Sequence, residues 1–435
     1  MNNTIKLAVA AALLAGASSA NAGIMIPAGD WTLDIGGVVN AYYTSTRQTG
    51  NGGAAPLGIS NDAGKTTSNI TTGLLPNYLS VSGKTRQNDL DVGFTISLNP
   101  GASTTQAGKQ SAQQENRQAF LTFGDKSWGS IKLGKDLGIY ASDAILNDMT
   151  LLGVGSGAGG LAGNTTTLGR IGTGFMYADW KSQVAYSSPN WNGFSFTAGV
   201  TQAWNAVNAL GNSAGSTQRG GASPAFEGKA SYEWAGDFGG KVWVSGISQK
   251  VKGIGSTAAV AGVPAGFAID QTTGLIVPFA ATPAVGANGG KSDRADSVDI
   301  GATVNVAGFG LTGYYYTGEG IGQTLQLFDG FDATGNARDS DGYYVQGTYT
   351  IPTVGTKIGL SYGRSNLDSN GFANGDTLGD VKDQMWTVGA YHPITKHLNL
   401  VAEYSDVKHK VSATPVTDGT NGKSKTISLG AILFF

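Results

Sequence analysis

Between Asp89 and Leu98 the chain alternates without interruption: Leu90, Val92, Phe94, Ile96 and Leu98 fall on one face of an extended strand, and Asp89, Asp91, Gly93, Thr95 and Ser97 on the other. This two-residue period recurs from Trp31 to Phe435 and restricts the chain to an all-β fold. It predicts sixteen strands, at 31–43, 78–87, 89–98, 115–123, 129–135, 181–189, 194–205, 225–235, 240–251, 295–306, 309–319, 341–351, 356–365, 381–392, 397–410 and 423–435. The connections alternate in length. Polar loops at 46–75, 99–114, 136–180, 206–223, 252–294, 320–340, 366–380 and 411–422 take turns with tight links, such as Asn190-Trp191-Asn192-Gly193 and Pro352 to Gly355.

A soluble β-helix or sandwich does not force that alternation, and it needs its apolar faces turned into a core. A transmembrane antiparallel β-barrel has short periplasmic turns on one rim, long extracellular loops on the other, lipid outside and water within. An even strand number leaves both ends on the turn side. In the last strand Ile427, Leu429, Ala431, Leu433 and Phe435 share one face, against Thr426 and Ser428 on the other. Such an edge needs a cover, and the matching strand is the first, so the sheet is expected to close. With apolar residues toward lipid, Lys84, Arg86, Asp89, Asp91, Asp299 and Glu403 point into a water-filled lumen. Tyr43, Trp128, Tyr343, Tyr349, Tyr391 and Phe435 are candidates for an interfacial girdle.

Composition narrows the rest. Lys6, the apolar run Leu7 to Ala17 and the small residues Ala20-Asn21-Ala22 read as a cleaved signal peptide over 1–22, leaving a single barrel domain over 23–435. The chain has no Cys, hence no disulfide or thiolate metal site, and its three His (His392, His397 and His409) suggest no metal centre. No cofactor is expected. The net charge of −2 gives no reason to expect nucleic acid as a partner. Catalysis would require Ser, His and a carboxylate to converge, and His409 and Asp406, three apart on a strand, face opposite ways. The chain does not read as an enzyme.

Two stretches carry a resemblance. Asn116-Arg117-Gln118-Ala119-Phe120, followed by Trp128-Gly129-Ser130-Ile131-Lys132-Leu133-Gly134-Lys135, resembles the Arg-Gln-Ala-aromatic, turn, Gly-x-x-x-x-Gly-Arg segment of Gram-negative trimeric general porins, with Lys135 where many members have Arg. Tyr186-Ser187-Ser188-Pro189-Asn190-Trp191-Asn192-Gly193-Phe194-Ser195-Phe196 is similar to the family's Tyr-x-Ser-Pro-x-x-x-Gly-Phe-x-Phe hairpin. His392 to Leu400 is similar to its turn before the penultimate strand, although Pro393 and His397 depart from the common wording, and the third loop lacks the frequent Pro-Glu-Phe-Gly run. The resemblance covers 23–435. It implies a homotrimeric channel of the cell outer membrane, set among lipid and lipopolysaccharide, with its third loop folded inward and Phe435 read by the barrel assembly machinery during biogenesis.

On that expectation a constriction forms where Lys84, Arg86, Arg117 and Lys132, inward by parity, face a loop carrying Asp136, Asp143 and Asp148, with Arg170, Asp179 and Lys181 at its return. Opposed rows of charge order water and disfavour apolar solutes. Gln118 and Thr122 then face lipid, which is costly unless a neighbouring protomer covers them. The expected function is passive diffusion of small hydrophilic solutes and ions. The alternatives are a channel selective for one nutrient class and an adhesin or structural barrel.

Overall fold

A computed structural model describes residues 23–53, 57, 64–103, 114–157, 166–206, 223–254, 265–269, 276–279, 290–332, 334–374, 376 and 378–435. Residues 1–22, expected from sequence to be a signal peptide, and parts of several loops lie outside the described residues. One sheet contains nineteen strands, of which sixteen form a closed antiparallel wall. These are β1 (Trp31–Gly50), β2 (Tyr78–Gln87), β3 (Leu90–Pro100), β4 (Ala119–Asp125), β5 (Gly129–Leu137), β6 (Trp180–Ser187), β7 (Phe194–Thr201), β8 (Ala225–Trp234), β9 (Phe238–Ile254), β10 (Lys291–Val306), β11 (Phe309–Glu319), β12 (Asp339–Thr350), β13 (Lys357–Leu367), β14 (Val381–Pro393), β15 (Leu398–Val411) and β16 (Thr420–Phe434). Among the described residues no helix is long and apolar enough to cross a membrane, so the strands make the crossing.

The seam runs from Val38 opposite Phe434 to Gly50 opposite Gly422. Below it the strand Ile24–Ala28 pairs with β1, Ile24 opposite Ile35, and so continues the line of β16 toward the turn rim. Loop 46–75 is less irregular than its composition suggests. β1 extends to Gly50, and Thr66–Thr71 returns to pair with it. Asn88 and Asp89 have φ of 50° and 61°, the left-handed pair that a two-residue hairpin requires and that Asn and Asp tolerate. Asp89 therefore belongs to the turn instead of the strand.

The outer face is apolar around the wall. Val39, Ile96, Val244, Ile300, Leu360 and Leu429 are all exposed, Ile300 at 60%, which is favourable only against lipid. Strand β4 corrects the parity inferred from sequence. Leu121 points outward, in register with Phe94 and Leu133, while Thr122 pairs with Lys132 and Gly93 on the lumen side. Regular pairing starts at Ala119, and the Gln118 amide is instead bonded to Ser97 Oγ at 3.1 Å. One residue of offset there exchanges the two faces. The polar patch expected toward lipid at Gln118 and Thr122 is thus absent.

Tyr391 also leaves the expected girdle, pointing inward at 2% exposure with its hydroxyl donated to Glu403 at 2.6 Å. Tyr43 and Tyr343 do face outward. Nor is the lumen wholly wet. Trp243, Tyr314, Tyr316, Tyr344 and Met385 of the inner wall pack with Tyr140, Ile145, Leu168, Phe175 and Met176 of loop 136–180 into a dry core inside the barrel.

The lumen and its inward-folded loop

Loop 136–180 crosses the lumen because wall side chains take up its main-chain polar groups. Such groups, once buried, must find partners. Near its start, Ile139 and Tyr140 donate their amides to Glu227 Oε2 on β8, at 2.8 and 2.9 Å. A short helix, Ser142–Leu146, follows, and its Ala144 carbonyl accepts from Tyr344 on β12 at 2.9 Å. Gln346, on the same strand, accepts the Met149 amide at 2.9 Å and donates to the Asn147 carbonyl at 2.6 Å. Glu403 on β15 accepts the amides of Val154 and Gly155 at 2.7 and 2.8 Å. Tyr42 on β1 donates to the Leu152 carbonyl at 2.7 Å. The returning limb is held by Arg170, which donates to the Met385 carbonyl at 3.0 Å and to Ser361.

Loop 320–338 is a second inward element, missed from sequence. Gln326 donates to the carbonyls of Tyr177 and Ala178, both at 3.2 Å. Gln323 reaches Asp383 at 3.0 Å, whose other oxygen contacts His409 at 2.7 Å. His409 is therefore engaged by Asp383, on the lumen side, and not by Asp406.

These anchors place the charged residues differently from the opposed rows expected. Asp143 is clamped by Lys229 of β8 at 3.2 Å and Lys241 of β9 at 2.6 Å. Burial works to raise its pKa, but the two ammonium groups outweigh it and hold the carboxyl below its usual value. The clamp is accordingly present above the ordinary carboxylate range and is lost as pH falls through the lowered value. Asp148 lies beside Arg170, both fully buried, with Nε at 4.0 Å from the carboxylate. Burial raises the first and lowers the second. Asp136 meets Lys132 on its own strand and accepts from Gln118 at 3.0 Å.

Arg117 precedes β4, buried, bonded to Glu115 at 2.8 Å and lying over the Trp180 ring at 5.8 Å. Arg86 sits by the β2–β3 turn, 2.9 Å from both Asp91 and Asp125. Asp179 and Lys181 flank the return, with Lys181 paired to Glu227 at 2.6 Å. Lys84 is exposed on the inner face of β2. Lys229 and Lys241 were overlooked because their partner Asp143 is far away in sequence.

A sixteen-stranded wall, a third loop drawn inside it and long extracellular connections are the parts of an outer-membrane channel. The sequence profile described as Gram-negative porin matches residues 8–412. The chain belongs to the Gram-negative porin family. No curated sequence relative matches it. Among solved structures, this porin is similar in fold to the anion-selective porin from Comamonas acidovorans, at 15% identity and a TM-score of 0.57 over 93% of this chain and 100% of that one. It is likewise similar to the outer membrane channel DcaP of Acinetobacter baumannii, at 16% identity and a TM-score of 0.61 over 94% and 99%. A third likeness is to OmpT of Vibrio cholerae, at 15% identity and a TM-score of 0.53 over 95% and 100%. The porin is a channel of the outer membrane for small solutes.

Proposed function

We propose that this porin passes small hydrophilic solutes and ions by passive diffusion, with a weak preference for anions. The observation that carries this reading is the state of the lumen charges. The carboxylates of Asp143, Asp148, Glu227 and Glu403 are buried and engaged, whereas Lys84 is exposed and Lys132, Lys229 and Lys241 are partly so. Because Lys132, Lys229 and Lys241 are each paired with a carboxylate, the net field is small. Lys84, exposed and outside these pairs, is the base this reading singles out. The anion-selective porin from Comamonas acidovorans shares the fold and lends support.

Replacing Lys84 by Glu is expected to move the reversal potential under a salt gradient toward cation preference. The shift should shrink as salt approaches 1 M, where the screening length is about 3 Å. An unchanged reversal potential would remove Lys84 from the ion path. Competition of the current by a single solute class would favour a nutrient-selective channel instead.

We further infer that the native unit is a homotrimer. Strands β4 to β7 have 7, 9, 8 and 8 residues, against 17 and 16 in β9 and β10. A seven-residue strand rises about 23 Å and, tilted by about 40°, covers less than the apolar band of about 25 Å that a barrel presents to lipid. A neighbouring protomer against this low side would relieve the mismatch. Native mass spectrometry in mild detergent is expected to give three copies, and a monomeric mass would refute the inference.

A further inference from the structure

Loop 320–338 leaves the wall at the end of β11 and returns at the start of β12, yet its middle is fastened far from both. Gln323 Nε2 donates to the Ser365 carbonyl on β13 and to Asp383 on β14, both at 3.0 Å. Three residues on, Gln326 Oε1 accepts from Lys181 of β6 at 3.1 Å, while its amide nitrogen holds the returning limb of loop 136–180. Strands β6 and β14 are eight apart in a closed wall of sixteen, directly across the lumen. The segment is therefore a chord of the barrel, completed at each end by a long side chain.

Both the chord and its base are held by buried cations. Lys181 is fully buried, paired with Glu227 at 2.6 Å and placed over the Trp204 ring at 4.7 Å, and leaving these partners would strand its charge. Arg338, also fully buried, donates to the carbonyls of Asp329, Asp368 and Gly379 at 3.3, 3.1 and 3.0 Å, which ties the base of the loop to loop 366–380. Behind the chord the lumen is dry. Ile321 joins the cluster of Trp243, Tyr314 and Tyr316, and Leu327 and Phe331 pack with Val251, Ile254 and Ala295 of β9 and β10. Close-packed side chains leave no passage there, so a solute at this height has the opposite sector alone.

We propose that loop 320–338 is a second size-limiting element of the pore, beside the third loop, with Gln323 and Gln326 as its positioning residues. The proposal rests on the diffusion reading above. The test compares entry of arabinose and of the tetrasaccharide stachyose into proteoliposomes carrying folded protein, selected by heat-modifiable mobility. Gln323→Leu cuts the tie to β13 and β14 without touching loop 136–180, and it is expected to raise the stachyose-to-arabinose ratio severalfold. Gln323→Leu/Gln326→Leu should raise it further. Where the Leu variants do not fold, Gln323→Asn, which keeps the amide but shortens its reach, should show the same shift in smaller measure. Thr324→Cys reports release of the chord separately from flux, being buried at 4% exposure and the sole thiol in a chain without Cys. Its modification by a membrane-impermeant maleimide should turn from slow to rapid in the Gln323 variants.

A wild-type ratio in a variant whose Thr324→Cys thiol has become reactive would overturn the proposal, because the chord would have moved without widening the path. An effect confined to Gln326→Leu would overturn it too, assigning the widening to loop 136–180. If wild type passes arabinose and every variant keeps its ratio, the proposal fails alone. If wild type passes neither sugar, the diffusion reading fails with it.

Discussion

The double variant Gln346→Leu/Glu403→Leu is expected to conduct more current per channel than wild type and to fluctuate more. Gln346 and Glu403 together satisfy the amides of Met149, Val154 and Gly155 and the carbonyl of Asn147. With both side chains made apolar, these four groups are left buried without partners at a cost of about 1–3 kcal/mol each. Rehydration in the lumen is then the cheaper outcome, and it requires the loop to leave the wall. Single-channel recording in planar bilayers reads the result directly. Apolar packing by Tyr140, Phe175 and Met176 opposes release, and unchanged conductance would show that this dry core alone holds the loop. Glu403→Gln, which keeps an acceptor oxygen, should lie near wild type.

The second large effect is expected at the seam. Phe435 exchanges backbone hydrogen bonds with Gly37, donating at 3.1 Å and accepting at 2.8 Å, and its ring covers that glycine. A Cβ at Gly37 would overlap the Tyr78 carbonyl and lie 2.7 Å from Phe435 Cζ, closer than real Cβ contacts come, so Gly37→Val should block closure between β1 and β16. Phe435→Ser leaves the backbone bonds but removes the ring. If the ring also serves as the recognition element for barrel assembly, as proposed here, the folded form in the outer membrane should drop severalfold in both variants, while refolding of purified protein should suffer mainly in Gly37→Val. Heat-modifiable gel mobility separates the two. Wild-type folded levels for Phe435→Ser in cells would dispose of the recognition role.

The wall was legible in the sequence because parity is a local property. Leu90 to Leu98 announce their faces within ten residues, and the pairing of β16 with β1 follows from Ile427, Leu429 and Leu433 needing a partner. Where the backbone departs from regular pairing, as at Arg117 and Gln118 ahead of β4, the period carries no phase across the break and the inferred faces came out reversed. The lumen was less legible for a different reason. The contact of Glu403 with Gly155 spans 248 positions, and nothing in a Gly- and Thr-rich loop announces which strand will hold it. Asp143 and Asp148 lie on that loop by sequence position alone, but their partners Lys229, Lys241 and Arg170 depend on the path it takes. Loop 320–338 gave no signal, since Gln323 and Gln326 are ordinary loop residues until Asp383 and Lys181 are brought beside them.

Glu227, Tyr344, Gln346 and Glu403 grip the inward loop by main-chain atoms, which every residue except proline supplies in full. Its position is therefore written in the wall and its surface in its own side chains. Substitutions at loop positions outside the dry core and away from Asp143 and Arg170 can alter which solutes pass without loosening the main-chain attachment, so the lineage of this channel is free to vary its diet while inheriting the same frame.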